Sequence, residues 1–153
     1  MLRYSRRGTK GREAVLADVI DLARQHDDAF NAHDAAGRRA IEAPEIELVM
    51  PGGMTLRGHE NVMQMVSAFW EALPDGRIKP DDLLAAGDVV IAEGSLVGTH
   101  TGPFRAPNGE IPPTGNAVAL RYAAIKRFRD GRLVSEHLYF DQLEFLQQLG
   151  AAP

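Results

Sequence analysis

The segment FRDGRLVSEHLYFDQLEFLQQLG, residues 128–150, contains the transition that decides the fold. Its Asp130-Gly131 pair is typical of a tight hairpin turn, so we expect one strand before the pair and an antiparallel strand after it. The second strand, RLVSEHLYF, leads into a helical stretch, QLEFLQQLG, for which Gly150 is placed as the C-terminal stop. A carboxylate, Asp141, stands between strand and helix among apolar neighbours. It can cap the helix or act as a catalytic base.

The rest of the chain shows helical periodicity first and strand periodicity afterwards. Apolar spacing predicts a long helix over residues 13–31, in which Asp27 is a polar exception, and a second long helix within residues 58–76. Between them Asp34 is placed to cap a short helix, which a short strand follows. Over residues 79–140 the pattern becomes one of consecutive strands joined by turns. This order predicts an α+β fold, a cone in which a curved antiparallel sheet carries helices over its concave face and encloses a pocket.

Composition excludes several classes of function. The chain has 153 residues, which suggests a single core, and no cysteine, which excludes disulfides, thiolate nucleophiles and cysteine-ligated zinc. Residues 1–12 hold five of the 17 Lys and Arg residues and no acid, so we expect a basic N-terminal arm followed by one domain over residues 13–153. That domain has 12 basic and 21 acidic residues, so we expect no nucleic-acid partner. No apolar run reaches the roughly 20 residues of a membrane span, and the N-terminus lacks the apolar part of a secretory signal, so we expect a cytoplasmic protein and no membrane partner.

The strand RLVSEHLYF places polar and aromatic residues on one face. If every second residue points the same way, Leu133, Ser135, His137, Tyr139 and Asp141 share a face. Such a mixture suits the wall of a pocket better than solvent or a dry core. A carboxylate at the end of that row would be partly desolvated, which raises the pKa of an aspartate toward the range useful for acid/base catalysis.

A histidine, His100, lies in GTHTGPF at the end of a strand and beside a loop rich in glycine and proline. There it can donate to a substrate oxygen or move a proton, and an ordinary surface histidine is the alternative. No two histidines have the spacing of a metal site such as H-x-x-x-H with an intervening Glu, so we expect no metal. We expect the pocket to be lined by further histidine, aromatic and methionine side chains, namely His26, Phe30, Met50, Phe69, Trp70, Phe104, Tyr122, His137 and Tyr139.

Five segments and their spacing resemble the SnoaL-like group of the NTF2-like superfamily, which includes polyketide cyclases and ester-cyclase-like proteins. They are FNAHD (30–34), RGHENV (57–62), GTHTGPF (98–104), PTGNAV (113–118) and, most specifically, DGRLVSEHLYFDQLEFLQQLG (130–150). The resemblance implies the cone-shaped fold, a deep apolar pocket for a small molecule, no cofactor and a homodimer. It also implies that Asp141 is the acid/base of an intramolecular aldol ring closure, with His100 polarising a carbonyl or orienting the substrate.

Other functions of the superfamily have different requirements. At the places of the base aspartate, tyrosine and second aspartate of a ketosteroid isomerase-like enzyme, this chain has Met50, His26 and Ala124. A limonene-type epoxide hydrolase-like enzyme needs an Asp-Arg-Asp set, of which Arg121 and Asp141 could supply two members. Many proteins of this fold are pockets without demonstrated chemistry, and a third possibility is a scaffold that only dimerises. The sequence therefore favours a cofactor-free acid/base enzyme, with a small-molecule binding protein as the alternative.

Overall fold

The computed structural model describes residues 7–106 and 109–151, apart from the side chains of residues 7–10 and 12–17. The helices of this part of the chain are α1 Arg7–Asn31, α2 Ala35–Ile41, α3 His59–Ala72 and α4 Gln142–Gln148. Its strands are β1 Glu42–Met50, β2 Met54–Arg57, β3 Arg77–Ala86, β4 Val89–Thr99, β5 Phe104–Ala106, β6 Gly109–Ile111, β7 Ala117–Arg129 and β8 Arg132–Tyr139. Residues 7–12 of the predicted basic arm belong to α1, and residues 1–6 lie outside the described residues.

Six strands form one sheet in the order β2-β1-β8-β7-β4-β3, and β5 pairs with β6 in a separate hairpin. Neighbouring strands run antiparallel except β1 and β8, which are parallel. A parallel pair needs a long crossover, and here the chain passes through α3 and the other strands of the sheet before β8 returns beside β1. The α+β class is confirmed, in a sheet that is antiparallel at every pairing but this one.

The core lies between the sheet and the two long helices. Val19, Ala23 and Phe30 on α1, and Val62 and Val66 on α3, are buried along one face of each helix. Helix α1 packs beside β3 and α3 beside β1, so the helices cover one face of the sheet. No helix among the described residues is both long and apolar enough to cross a membrane.

Local signals in the sequence form the predicted caps and turns. Asp34 Oδ1 accepts a hydrogen bond from Gly37 N at 2.8 Å at the start of α2. Asp130 and Gly131 both have positive φ, 51° and 74°, as a two-residue hairpin turn of this type requires. Gly150, with φ of 78°, follows the end of α4. The predicted cap of α2, the hairpin turn before β8 and the glycine stop after α4 are confirmed.

A β-bulge near the start of β8 decides which of its side chains face the helices. Phe128 pairs with Leu133, but the preceding Arg127 pairs with Ser135, so β8 carries one extra residue between the two pairs. Leu133 is fully buried, and beyond the bulge the inward-facing positions begin with Glu136. Because the bulge shifts the alternation by one residue, the face of β8 predicted to form the pocket wall is the wrong one.

Candidate functional site

An apolar cavity lies between the inner face of the sheet and helices α1 and α3. Its volume is about 100 Å³, enough for several water molecules or for part of a small ligand. The apolar wall is formed by Phe30, Leu48, Met50, Met65, Val66, Phe69, Ile78, Leu96, Leu120, Leu138 and Phe140. Six polar side chains complete the wall, and we call them the polar cluster: His26, Asp27, Arg38, Tyr122, Lys126 and Glu136.

Lys126 and Asp27 form a buried ion pair within the polar cluster. Lys126 Nζ donates to Asp27 Oδ1 at 2.5 Å and also lies 3.2 Å from His26 Nδ1. Burial acts to lower the pKa of Lys126, but the negative charge of Asp27 and its hydrogen bond act in the opposite direction, and the pKa is raised. Since only 1% of Lys126 is exposed, this ammonium group depends on Asp27 as its counter-ion.

A fully buried carboxylate, Glu42, accepts hydrogen bonds from two members of the polar cluster. Its Oε1 accepts from Arg38 Nη2 at 2.5 Å and from His26 Nε2 at 2.9 Å, and its Oε2 accepts from His59 Nδ1 at 2.7 Å. Because Nε2 of His26 faces this carboxylate and Nδ1 faces the Lys126 ammonium, we assign the proton of His26 to Nε2. Burial, followed by the charges of Arg38 and Lys126, lowers the pKa of His26 well below its usual value, so the ring is neutral.

Three atoms of the polar cluster lack a hydrogen-bond partner among the described residues. They are Oδ2 of Asp27, Nε of Arg38 and the hydroxyl of Tyr122, and all three are buried. Buried polar atoms in native proteins are nearly always paired, so unpaired atoms in residues that line a cavity are candidates for contact with a ligand. Burial raises the pKa of Tyr122, which keeps the hydroxyl protonated and able to donate. Asp27, held by Lys126 through one oxygen, has the other available to accept a proton.

The predicted base, Asp141, does not line the cavity. Its Oδ1 accepts from the backbone N–H of Leu143 at 2.9 Å and of Glu144 at 3.1 Å, and the residue is exposed. It is the N-cap of α4, so the prediction that its carboxylate faces the pocket is wrong. The bulge in β8 gives the last inward-facing position to Phe140, one residue earlier. The side chain of Asp141 therefore makes no contact with the cavity that would support a catalytic role.

His100 is also outside the lining of the cavity. It is fully buried, with Nδ1 at 2.9 Å from Thr114 Oγ1, and burial lowers its pKa. Its backbone N–H donates to Asn116 O, and its carbonyl accepts from the N–H groups of Thr114 and Gly115. These bonds close the base of the loop between β4 and β7. His100 thus holds this loop together, and the prediction that it borders the pocket is wrong, as is the alternative of an exposed histidine.

The nine predicted lining residues divide into two groups. Five line the cavity: His26, Phe30, Met50, Phe69 and Tyr122. Four do not: Trp70, Phe104, His137 and Tyr139. His137 and Tyr139 lie on the outer face of the sheet because of the bulge, and Tyr139 is 52% exposed.

The other two aromatic residues stabilise the framework around the cavity. Trp70 donates from Nε1 to the carbonyl of Phe30 at 3.0 Å and stacks on the ring of His33. Phe104 packs against Phe69 and Phe145, with ring centroids 5.4 Å apart in each pair. Both side chains therefore position lining residues without forming the wall themselves.

The polar cluster contains four residues that the sequence did not single out as site residues: Asp27, Arg38, Lys126 and Glu136. The signal for Asp27 is visible in the sequence, since it is the polar exception in the apolar stripe of α1. Arg121, which the epoxide hydrolase-like alternative required, is exposed and pairs with Asp81 and Glu93 away from the cavity. Within residues 7–106 and 109–151, no group of three or more His, Asp or Glu side chains could hold a metal ion.

Comparison with known proteins places the chain in a family. Residues 20–149 match the family model of the SnoaL-like polyketide cyclases, and the chain belongs to this family. Membership in this family supports an enzyme of the cyclase or isomerase type, and it does not identify the particular reaction. No curated protein sequence matches the chain significantly.

Solved structures share the fold at low sequence identity. IdmH from Streptomyces antibioticus, a candidate polyketide cyclase, is 26% identical with a TM-score of 0.73, covering 86% of this chain and 98% of that one. TsrD from Streptomyces laurentii is 25% identical with a TM-score of 0.74, covering 88% and 96%. A SnoaL-like candidate cyclase from Jannaschia sp. CCS1 is 18% identical with a TM-score of 0.81, covering 91% and 96%. These likenesses confirm the NTF2-like fold.

Proposed function

We propose that this protein is a cofactor-free acid/base enzyme that acts on a small, largely apolar carbonyl compound, with aldol-type ring closure as its reaction. The observation that carries the proposal is that two residues lining the cavity, Asp27 and Tyr122, each have a buried polar atom without a partner, namely Oδ2 and the hydroxyl. In this proposal Asp27 is the general base and Tyr122 is the hydrogen-bond donor to the oxygen that gains negative charge.

The chemistry follows from the properties of the two groups. Protons between two carbonyl groups are already acidic, so one positioned carboxylate can remove such a proton and generate the enolate. Asp27 Oδ2 takes the proton, the electron pair moves to the carbonyl oxygen, and the Tyr122 O–H donates to that oxygen. Lys126 balances the charge of Asp27 and fixes its other oxygen. The apolar wall holds the second carbonyl of the substrate near the nucleophilic carbon.

The test measures proton abstraction directly on small probes. The exchange of the acidic C–H protons of ethyl acetoacetate in D2O is followed by proton NMR, and the ring closure of acetonylacetone is followed in parallel. The enzyme is compared with Asp27→Asn and Tyr122→Phe. Asp28→Asn is the matched control, because Asp28 is the exposed neighbour on α1. We expect Asp27→Asn to lower the exchange rate by about 10²-fold or more and Tyr122→Phe by about 10²-fold, with Asp28→Asn unchanged. Equal rates for all four proteins would refute the proposal.

A second candidate function is a small-molecule binding protein. It is favoured by the position of Asp141 and His100, the two residues expected to be catalytic, outside the lining of the cavity. Thermal shift with the carbonyl probes, steroids, terpenoid epoxides and cationic aromatics distinguishes the two functions. Ligand at 100 times its Kd adds about 2.7 kcal/mol of stability whether or not it reacts. Stabilisation by a carbonyl probe without exchange or ring closure supports the binding protein.

We further propose a homodimer in the cytoplasm. The outer face of the sheet carries a row of residues in register across β3, β4, β7 and β8, namely Leu84, Ile91, Ile125 and His137. Leu84 and Ile91 are 59% and 45% exposed, which is unusual for large apolar side chains on neighbouring strands. A second copy of the chain packed on this face would bury them, and sedimentation equilibrium measures whether the protein is a dimer.

A further inference from the structure

Glu136 is the second carboxyl group of the polar cluster, beside Asp27, and the mechanism above gives it no role. It lies opposite Lys126 in the β7–β8 register and faces the cavity because of the bulge in β8. Lys126 Nζ is 2.5 Å from Asp27 Oδ1 but 3.9 Å from Glu136 Oε1, so its hydrogen bond goes to Asp27. Glu136 lines the cavity, and 14% of its side-chain surface is exposed.

The balance of buried charges favours a protonated Glu136. The two cations of the polar cluster, Arg38 and Lys126, each have one carboxylate within hydrogen-bond distance, Glu42 and Asp27 respectively. A third carboxylate would place an uncompensated negative charge in the interior, which is unfavourable. Burial raises the pKa of Glu136, although Lys126 and Arg38 oppose the effect. Glu136 therefore carries a proton at a pH where a carboxyl group in water has lost it.

We propose that Glu136 is the proton donor of the site and works as a pair with Asp27 on an enolisable ketone. This inference rests on the proposed function and adds a third catalytic residue, a proton donor, to Asp27 and Tyr122. Asp27 Oδ2 takes the proton from carbon while the Glu136 O–H gives its proton to the carbonyl oxygen, so that a neutral enol forms. Tyr122 donates a hydrogen bond to the same oxygen.

Ring closure returns both carboxyl groups to their starting states. The enol carbon attacks the second carbonyl carbon, which forms the C–C bond and breaks the π bond of that carbonyl. The enol O–H returns its proton to Glu136 as the first carbonyl re-forms. Asp27 delivers the proton that it holds to the new alkoxide oxygen. The net change is the addition of one C–H bond across a C=O bond, and no oxidant, reductant or co-reactant is consumed.

The experiment compares the wild type with Glu136→Gln and Glu136→Asp, using acetonylacetone closure and ethyl acetoacetate exchange over a range of pH. Glu93→Gln is the matched control, since Glu93 is an exposed glutamate on β4. Glutamine keeps the shape of the side chain but cannot transfer a proton, so we expect kcat to fall about 10²-fold or more with KM little changed. We expect Glu136→Asp to recover part of the rate. The wild-type rate should decline as pH rises through the pKa of Glu136, and Glu136→Gln should lack this decline.

The result that overturns the inference is a Glu136→Gln protein with wild-type kcat and the same decline at high pH. Asp27→Asn, measured beside it, separates this failure from that of the proposed function. If Asp27→Asn loses activity while Glu136→Gln keeps it, the function stands and Glu136 is not the donor. If neither substitution changes the rate, both proposals fail. Glutamine is neutral without binding a proton, so we expect the melting temperature of Glu136→Gln to be at or above that of the wild type. A melting temperature in that range excludes misfolding as the cause of a lower rate.

Discussion

Substitution of Asp141 distinguishes a helix cap from a catalytic residue. Its carboxylate accepts from the N–H groups of Leu143 and Glu144, and the short helix that it caps anchors Phe145 and Leu149 in the core. Replacing an N-cap aspartate by alanine costs about 1 kcal/mol, within a range of roughly 0.5–2. For a chain of this length that loss lowers Tm by about 2–4 °C. Asparagine caps nearly as well, so we expect Asp141→Asn to be close to wild type in stability.

The assay for this prediction combines urea unfolding with the carbonyl exchange rate. The single tryptophan, Trp70, is half-buried next to the cavity wall and reports unfolding by its fluorescence. Because the carboxylate of Asp141 does not reach the cavity, we expect both Asp141→Ala and Asp141→Asn to exchange substrate protons at the wild-type rate. If Asp141→Asn no longer exchanges substrate protons while its stability is unchanged, this reasoning is refuted and Asp141 is the base.

Four further predictions concern the buried network, the cavity and the outer face. Glu42→Ala leaves the Arg38 guanidinium buried without a carboxylate, so we expect the free energy of unfolding, measured in urea, to fall by about 3–5 kcal/mol. The pKa of His26 is lowered in the fold, so below its unfolded value of 6.5 the unfolded state binds a proton that the native state does not. The free energy of unfolding should therefore fall as pH drops below 6.5, and His26→Gln should reduce this pH dependence. If the free energy of unfolding of His26→Gln has the same slope against pH as that of the wild type, the assignment of a neutral His26 is wrong. Val66→Phe narrows the cavity, and we expect it to abolish the thermal stabilisation by ethyl acetoacetate. Ile91→Glu places a charge on the outer face, and we expect a monomer by sedimentation equilibrium, against a dimer for the wild type.

Features of the fold that depend on short-range chemistry could be predicted from the sequence. The cap at Asp34, the turn at Asp130-Gly131 and the stop at Gly150 each involve residues within a few positions of one another. The apolar stripes of α1 and α3 are equally local. The parallel pairing of β1 with β8 could not be predicted in this way, because it joins strands separated by most of the chain, and no local pattern specifies which distant strand is the neighbour.

The candidate site was harder to predict because a single extra residue reverses the faces of a strand. Alternation counted from Leu133 places His137 in the pocket, and the bulge before Ser135 places Glu136 there. Asp141 then falls at a position where strand pairing has ended, which leaves its carboxylate free to cap α4. His26 and Tyr122 were placed correctly, since both lie on stretches of regular helix or strand that no bulge interrupts.

The pairing of Asp27 with Lys126 argues for function as well as for structure. The two residues are 99 positions apart, so no local sequence pattern includes both. In the sequence, Asp27 is visible only as a polar exception in an apolar stripe. Replacing a buried ion pair by apolar residues of similar volume is often neutral or stabilising, so stability alone does not explain why the interior holds Asp27, Glu42, Arg38 and Lys126 together. The network is also incomplete, since Oδ2 of Asp27, Nε of Arg38 and the hydroxyl of Tyr122 have no partner among the described residues and all three residues line the cavity. An acid/base site requires such an unpaired carboxylate oxygen beside a cavity, because that group must be free to take a proton from a ligand.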